Sequence, residues 1–118
     1  MPAIANATQK QLGPGTEGLA YQIIDSDDCG GGGCRITLLR RCHGQWRTIL
    51  DDGYGDDVTP LQTRHHGWLD VQVRTRQAAN LSLTTEYHFD GETYRPATCV
   101  QTSIGGDESM PRQVPCSD

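Results

Sequence analysis

Four short stretches of the 118-residue chain hold side chains able to bind or react. They are His65-His66, the run Asp51-Asp52-Gly53-Tyr54-Gly55-Asp56-Asp57, the acidic turn with Asp25, Asp27 and Asp28, and Cys29-Gly30-Gly31-Gly32-Gly33-Cys34. Asp51, Asp52, Asp56 and Asp57 are the candidate calcium ligands, because calcium takes several oxygens on a bent, glycine-relieved loop. Their spacing departs from the EF-hand, whose oxygens alternate and end in a bidentate Glu, and solvated turn carboxylates are the plain alternative. His65 and His66 are neighbours, and neighbours on a strand point to opposite faces, so they share a metal only if the chain turns before Gly67. His43 and His88 lie elsewhere. No Ser or Cys stands in a nucleophile–base signature. Paired carboxylates for glycoside hydrolysis would want an aromatic-rich cleft, and the chain has only seven Phe, Trp and Tyr. The expectation is a protein that is not an enzyme.

The cysteines say more about compartment than about reactivity. Cys29 and Cys34 can close a disulfide across a hairpin end, since the glycines between them permit so tight a return. A thiol–disulfide function for this pair is a weaker alternative, because redox motifs favour two intervening residues at a helix start. A phosphate cradle would need a following helix with Lys-Ser/Thr. Cys42 and Cys99 fall at expected strand ends and are the expected second pair, leaving Cys116 free or intermolecular. Five cysteines without metal-ligand spacing point to an oxidising compartment, hence to a periplasmic or secreted protein whose signal peptide is not in the sequence. Cytoplasmic residence with free thiols is the alternative.

Strands must position these groups. Leu69, Val71 and Val73 alternate with Asp70, Gln72 and Arg74, the period of a strand with one buried face, and His66–Arg74 is the expected central strand. Leu19–Asp25 reads as the first strand. Arg35–Arg41 and Gln45–Leu50 form a hairpin through His43-Gly44, which sets Leu38 opposite Ile49 and Arg41 opposite Trp46. Val58–Leu61, with Pro60, reads as a short edge strand. Leu81, Leu83, Thr85, Tyr87 and Phe89 alternate again up to Asp90-Gly91, read as a two-residue turn with Phe89 opposite Glu92 and Tyr87 opposite Tyr94. The expected core is Tyr87, Phe89, Tyr94, Trp46, Leu69, Val71 and Val73. The fold class is all-β: a single-domain, disulfide-clipped, twisted antiparallel meander of about six to seven short strands, either a sandwich or partial-propeller-like.

Composition bounds the rest. Leu, Ile, Val and Phe number 21 and thin out at the ends, so residues 1–18 read as a flexible arm, 19–99 as the domain and 100–118 as a tail. The net charge of −5, with a single Lys, argues against nucleic acid as the main partner. Arg40, Arg41, Arg47, Arg64, Arg74 and Arg76 form at most a local positive face. No apolar run approaches a membrane span.

The Cys29–Cys34 glycine hairpin, Gly44-Gln45-Trp46-Arg47-Thr48-Ile49-Leu50, Thr63-Arg64-His65-His66-Gly67-Trp68-Leu69-Asp70-Val71 and Tyr87-His88-Phe89-Asp90-Gly91-Glu92-Thr93-Tyr94 together resemble small exported bacterial all-β proteins. The layout is similar to that of periplasmic lysozyme-inhibitor-like and secretion-system immunity proteins, and more distantly to a calcium-binding propeller repeat. The resemblance spans roughly residues 28–99. It implies export, a disulfide-clipped meander and a protein partner, a cell-wall hydrolase or toxin, with no catalytic residue to transfer. The expected function is inhibition by occlusion, with the Asp51–Asp57 turn as the wedge. Asp51, Asp52, Tyr54, Asp56, Asp57, His65, His66 and Trp68 are the partner-binding candidates. A calcium-stabilised surface or adhesion module is the alternative.

Overall fold

A computed structural model describes residues 7–78, 80–103 and 111–116. Apart from one 3-10 turn, Thr16–Gly18, the regular elements are strands: β1 Thr8–Gln11, β2 Leu19–Gly30, β3 Gly33–Cys42, β4 Gln45–Gly55, β5 Val58–His65, β6 Trp68–Ala78, β7 Leu81–Phe89, β8 Tyr94–Ser103 and β9 Arg112–Val114. They form two antiparallel meanders, β1-β2-β3-β4 and β5-β6-β7-β8-β9. The all-β, disulfide-containing architecture is the one expected, with more and longer strands. No helix among the described residues is long and apolar enough to cross a membrane.

Turn chemistry sets the pairing. His43 and Gly44 both have positive φ, 53° and 78°, as a two-residue type I′ turn requires, and Arg41 pairs with Trp46 with its guanidinium 5.5 Å from the indole centroid. Beyond that pair the register shifts, so Leu38 faces Leu50 and not Ile49. The bulge lets two consecutive residues, Ile49 and Leu50, both reach the core. His66 and Gly67 repeat the same turn, at 53° and 80°, so the strand expected from His66 begins at Trp68. It is an interior strand, but β7 is the middle of its sheet. At Asp90-Gly91 the expected register is wrong by two residues: Phe89 pairs with Tyr94 and Tyr87 with Pro96. The Asp90 carboxylate explains this, because its Oδ1 accepts both the Glu92 and Thr93 amides at 2.8 Å and stabilises a four-residue loop.

Both sheets contribute to one core, which holds Leu12, Ile36, Leu38, Ile49 and Leu50 from the first and Val58, Trp68, Val71, Val73, Tyr87, Phe89 and Tyr94 from the second. Trp68 takes the place expected of Trp46. Its ring stacks on Phe89 with centroids 4.7 Å apart, while Trp46 is half-buried, edge-on to Tyr21. The chain at Gly13 lies directly on the Trp68 indole, where a Cβ would come within 2.4 Å of Cε2. Next to it Leu12 is 1% exposed, and its carbonyl accepts the Leu69 amide at 2.8 Å. The expected arm is therefore corrected from residue 8 onward, where β1 pairs with β2 and Leu12 joins the core. Residues 1–6 of that arm lie outside the described residues, as do 104–110 and 117–118 of the expected tail.

Cys29 and Cys34 are bonded as expected. The second disulfide is Cys99–Cys116, which overturns the Cys42–Cys99 pair and leaves Cys42 free. Cys42 ends β3 in the first sheet, whereas Cys99 on β8 pairs with Val114 of β9, two residues before Cys116. Strand β9 thus brings the last cysteine to its partner. The glycine tip has a packing role: Gly32 accepts the Arg76 amide at 3.3 Å, and a Cβ there would lie 2.7 Å from the Arg76 carbonyl oxygen.

Candidate functional site

The residues with the most pronounced chemistry sit on the face of the second sheet turned away from the core. Asp70 alternates with Val71 and so points outward, yet it is fully buried. What covers it comes from β5 and β7. Between the Pro60–Val71 and Arg64–Leu69 pairs the register of β5 against β6 slips by two residues. On the turn side of that slip Arg64 pairs with Leu69 and His65 with Trp68, which sets Thr63 and His65 beside Asp70. Here Thr63 Oγ1 donates to Asp70 Oδ2 at 2.5 Å, and His65 Nδ1 lies 2.7 Å from Oδ1. On β7, Tyr87 pairs with Val71, which places His88 beside Asp70 with Nε2 at 3.6 Å from Oδ2. The same nitrogen is 2.6 Å from Glu86 Oε2. The two imidazoles stack, centroids 4.0 Å apart and planes within 13°.

Burial pushes the Asp70 carboxyl up, but the hydrogen bonds from Thr63 and His65 and the charges of His88 and His65 outweigh it and hold the group below its ordinary range. An ionised carboxylate only accepts, so Nδ1 carries a proton in the His65 contact. On the core side, burial and the Asp70 charge push the Tyr94 phenol up, and its hydroxyl donates to the Leu69 carbonyl at 2.7 Å. Neither imidazole has a Ser or Cys hydrogen-bond partner among the described residues.

The sequence candidates are scattered by comparison. Asp51 and Tyr54 lie on β4, which runs to Gly55, so the expected Asp51–Asp57 turn shrinks to Asp56 and Asp57. The Asp52 side chain lies outside the described residues. Asp57 is exposed but held, its Oδ1 accepting from Gln22 Nε2 at 2.8 Å and paired with Lys10 Nζ at 3.1 Å. Asp25, Asp27 and Asp28 lie on a bulged part of β2. Trp68 is in the core, His66 is exposed in its turn, and of the pair only His65 joins the buried carboxylate. Among the described residues the three-ligand His, Cys, Asp and Glu group that converges is His65, Asp70 and His88.

Asp70 and His88 were missed as a pair because alternation assigned both to a wetted face. Counting back from a two-residue turn at His66-Gly67 would have set Thr63 opposite Asp70. His88 required the β6–β7 register, which no turn motif specifies. Farther along this face, a cleft of about 670 Å³ runs between the glycine tip and Arg74, Arg76 and Ser82. No family model, curated protein or solved structure matches the chain.

Proposed function

We propose that this is an exported, non-enzymatic binding protein that inhibits an envelope-targeted hydrolase by occlusion. Two disulfides support the export, since such bonds persist in oxidising compartments and are rare in reducing ones. Occlusion calls for a rigid projection that loses little entropy on binding. The projection that fits best is the pair of turns at one end of the second sheet, and their preordering is the observation that carries this reading.

In the first turn, Arg64 Nη1 donates to the Gly67 carbonyl at 3.1 Å. In the second, Asp90 accepts the Glu92 and Thr93 amides, its own amide donates to the Thr93 carbonyl at 2.9 Å, and Arg95 Nε donates to its Oδ2 at 2.6 Å. Those amides, together with Arg95, hold the Asp90 carboxyl well below the usual range. The turns are adjacent, since a Cβ at Gly91 would sit 3.7 Å from His66 Nδ1. They present Arg64, His66, Glu92 and Arg95 to solvent. This surface replaces the Asp51–Asp57 wedge, in which Asp51 lies on β4 and Asp57 is held by Gln22 and Lys10.

Calorimetric titration against a panel of peptidoglycan-cleaving enzymes and secreted toxins, with parallel turnover assays, tests the reading. A one-to-one complex that stops hydrolysis is expected, weakened about tenfold or more by R64A/E92A. A panel without binding or inhibition would sink it, and undiminished affinity in the variant would remove this surface.

A further inference from the structure

We propose that His65, Asp70 and His88 form a binding site for a divalent transition-metal cation of the zinc class. The three ligand atoms lie within 4.8 Å of one another on three adjacent strands. His65 Nδ1 lies 2.7 Å from Asp70 Oδ1 and His88 Nε2 lies 3.6 Å from Oδ2 of the same carboxylate, against the ~3.3 Å edge of a tetrahedron with bonds of about 2.0–2.1 Å.

The setting of each donor fits a metal. Asp70 is fully buried, and Thr63 holds its Oδ2, an outer-shell hydrogen bond that orients a metal-ligating carboxylate and leaves Oδ1 as the donor. His65 and His88 are 46% and 31% exposed, so the site opens to solvent and a water can complete it. Glu86 stands beside the same His88 nitrogen as a second carboxylate. With both imidazoles neutral, as metal ligation requires, the two carboxylates leave a charge of −2, which a divalent cation cancels. Ligation through His65 Nδ1 and His88 Nε2 moves the proton of each ring to its other nitrogen, or releases it to solvent where both nitrogens are protonated. Two imidazole nitrogens favour zinc, nickel, copper or cobalt, whereas calcium prefers oxygens alone. The site is distinct from the exposed turns assigned to partner binding.

The experiment uses the untagged, chelator-treated full chain. Cobalt(II) is titrated while its visible ligand-field absorption is followed, and zinc chloride is titrated by calorimetry. One equivalent of zinc and cobalt bands of a four- or five-coordinate ion with nitrogen ligands are expected. H65Q and H88Q, which leave Asp70 hydrogen-bonded to Thr63, should each weaken zinc binding at least tenfold. H43Q and H66Q should bind as the wild type does, and calcium chloride should neither compete nor raise Tm. A chain that binds no zinc, or that binds it equally with H65Q and H88Q, overturns the proposal. So does a loss of binding in H43Q or H66Q matching that in the first two variants. Circular dichroism of each variant separates lost ligands from lost fold.

Discussion

Replacing Leu12 with alanine removes three side-chain carbons from a position 1% exposed, in a segment that composition alone assigns to a flexible arm. In an arm the change would cost almost nothing. In this fold Leu12 belongs to the same cluster as Trp68, and its carbonyl accepts the Leu69 amide. Buried Leu-to-Ala changes cost about 2–5 kcal/mol, the spread reflecting how far the site collapses. Leu12 directly follows β1, an edge strand of only four residues that can relax inward, so the lower part of that range applies, about 2–3 kcal/mol. For a chain of this size that is a fall in Tm of roughly 6–15 °C. Urea unfolding followed by tryptophan fluorescence, with a thermal melt, measures it. A loss below about 0.5 kcal/mol, the scale of a surface substitution, would refute the packing of the N-terminal segment on Trp68.

Three further outcomes are expected. C116S should cost about 3 kcal/mol, the chain-entropy value for a loop closed over 17 residues, while C42S should be near neutral; mass spectrometry under non-reducing conditions checks the pairing independently. Burial pushes the Asp57 carboxyl up, but hydrogen bonds from Gln22 and Lys10, with the Lys10 charge, carry it below its ordinary 3.8. A depressed carboxyl stabilises the fold above the unfolded value and loses that contribution as pH falls through the folded one. Wild type should therefore exceed D57N in denaturant midpoint at pH 6, by under about 1 kcal/mol for so exposed a group, and the gap should close toward pH 2. G32V should destabilise by about 1–3 kcal/mol through contact with the Arg76 carbonyl, read as a drop in Tm; an unchanged Tm would mean that the glycine tip is not docked there.

Alternation of apolar and polar residues, with paired Gly-containing turns, was enough to read an all-β chain, the His43-Gly44 hairpin with its Arg41–Trp46 pair, and the Cys29–Cys34 bond. These depend on residues close in sequence, where backbone stereochemistry and short loops leave few alternatives. What joins distant segments followed another rule. Cys99 finds Cys116 because β9 pairs with β8, Leu12 and Trp68 meet because Gly13 leaves room for an indole, and Asp70 is enclosed because the turn-side register of β5 sets Thr63 and His65 beside it while β7 supplies His88. A strand has two faces, and its period of two says that they differ without saying which of the polar residues will be covered; that depended on bulges and inter-strand register, which only the packed sheets could decide.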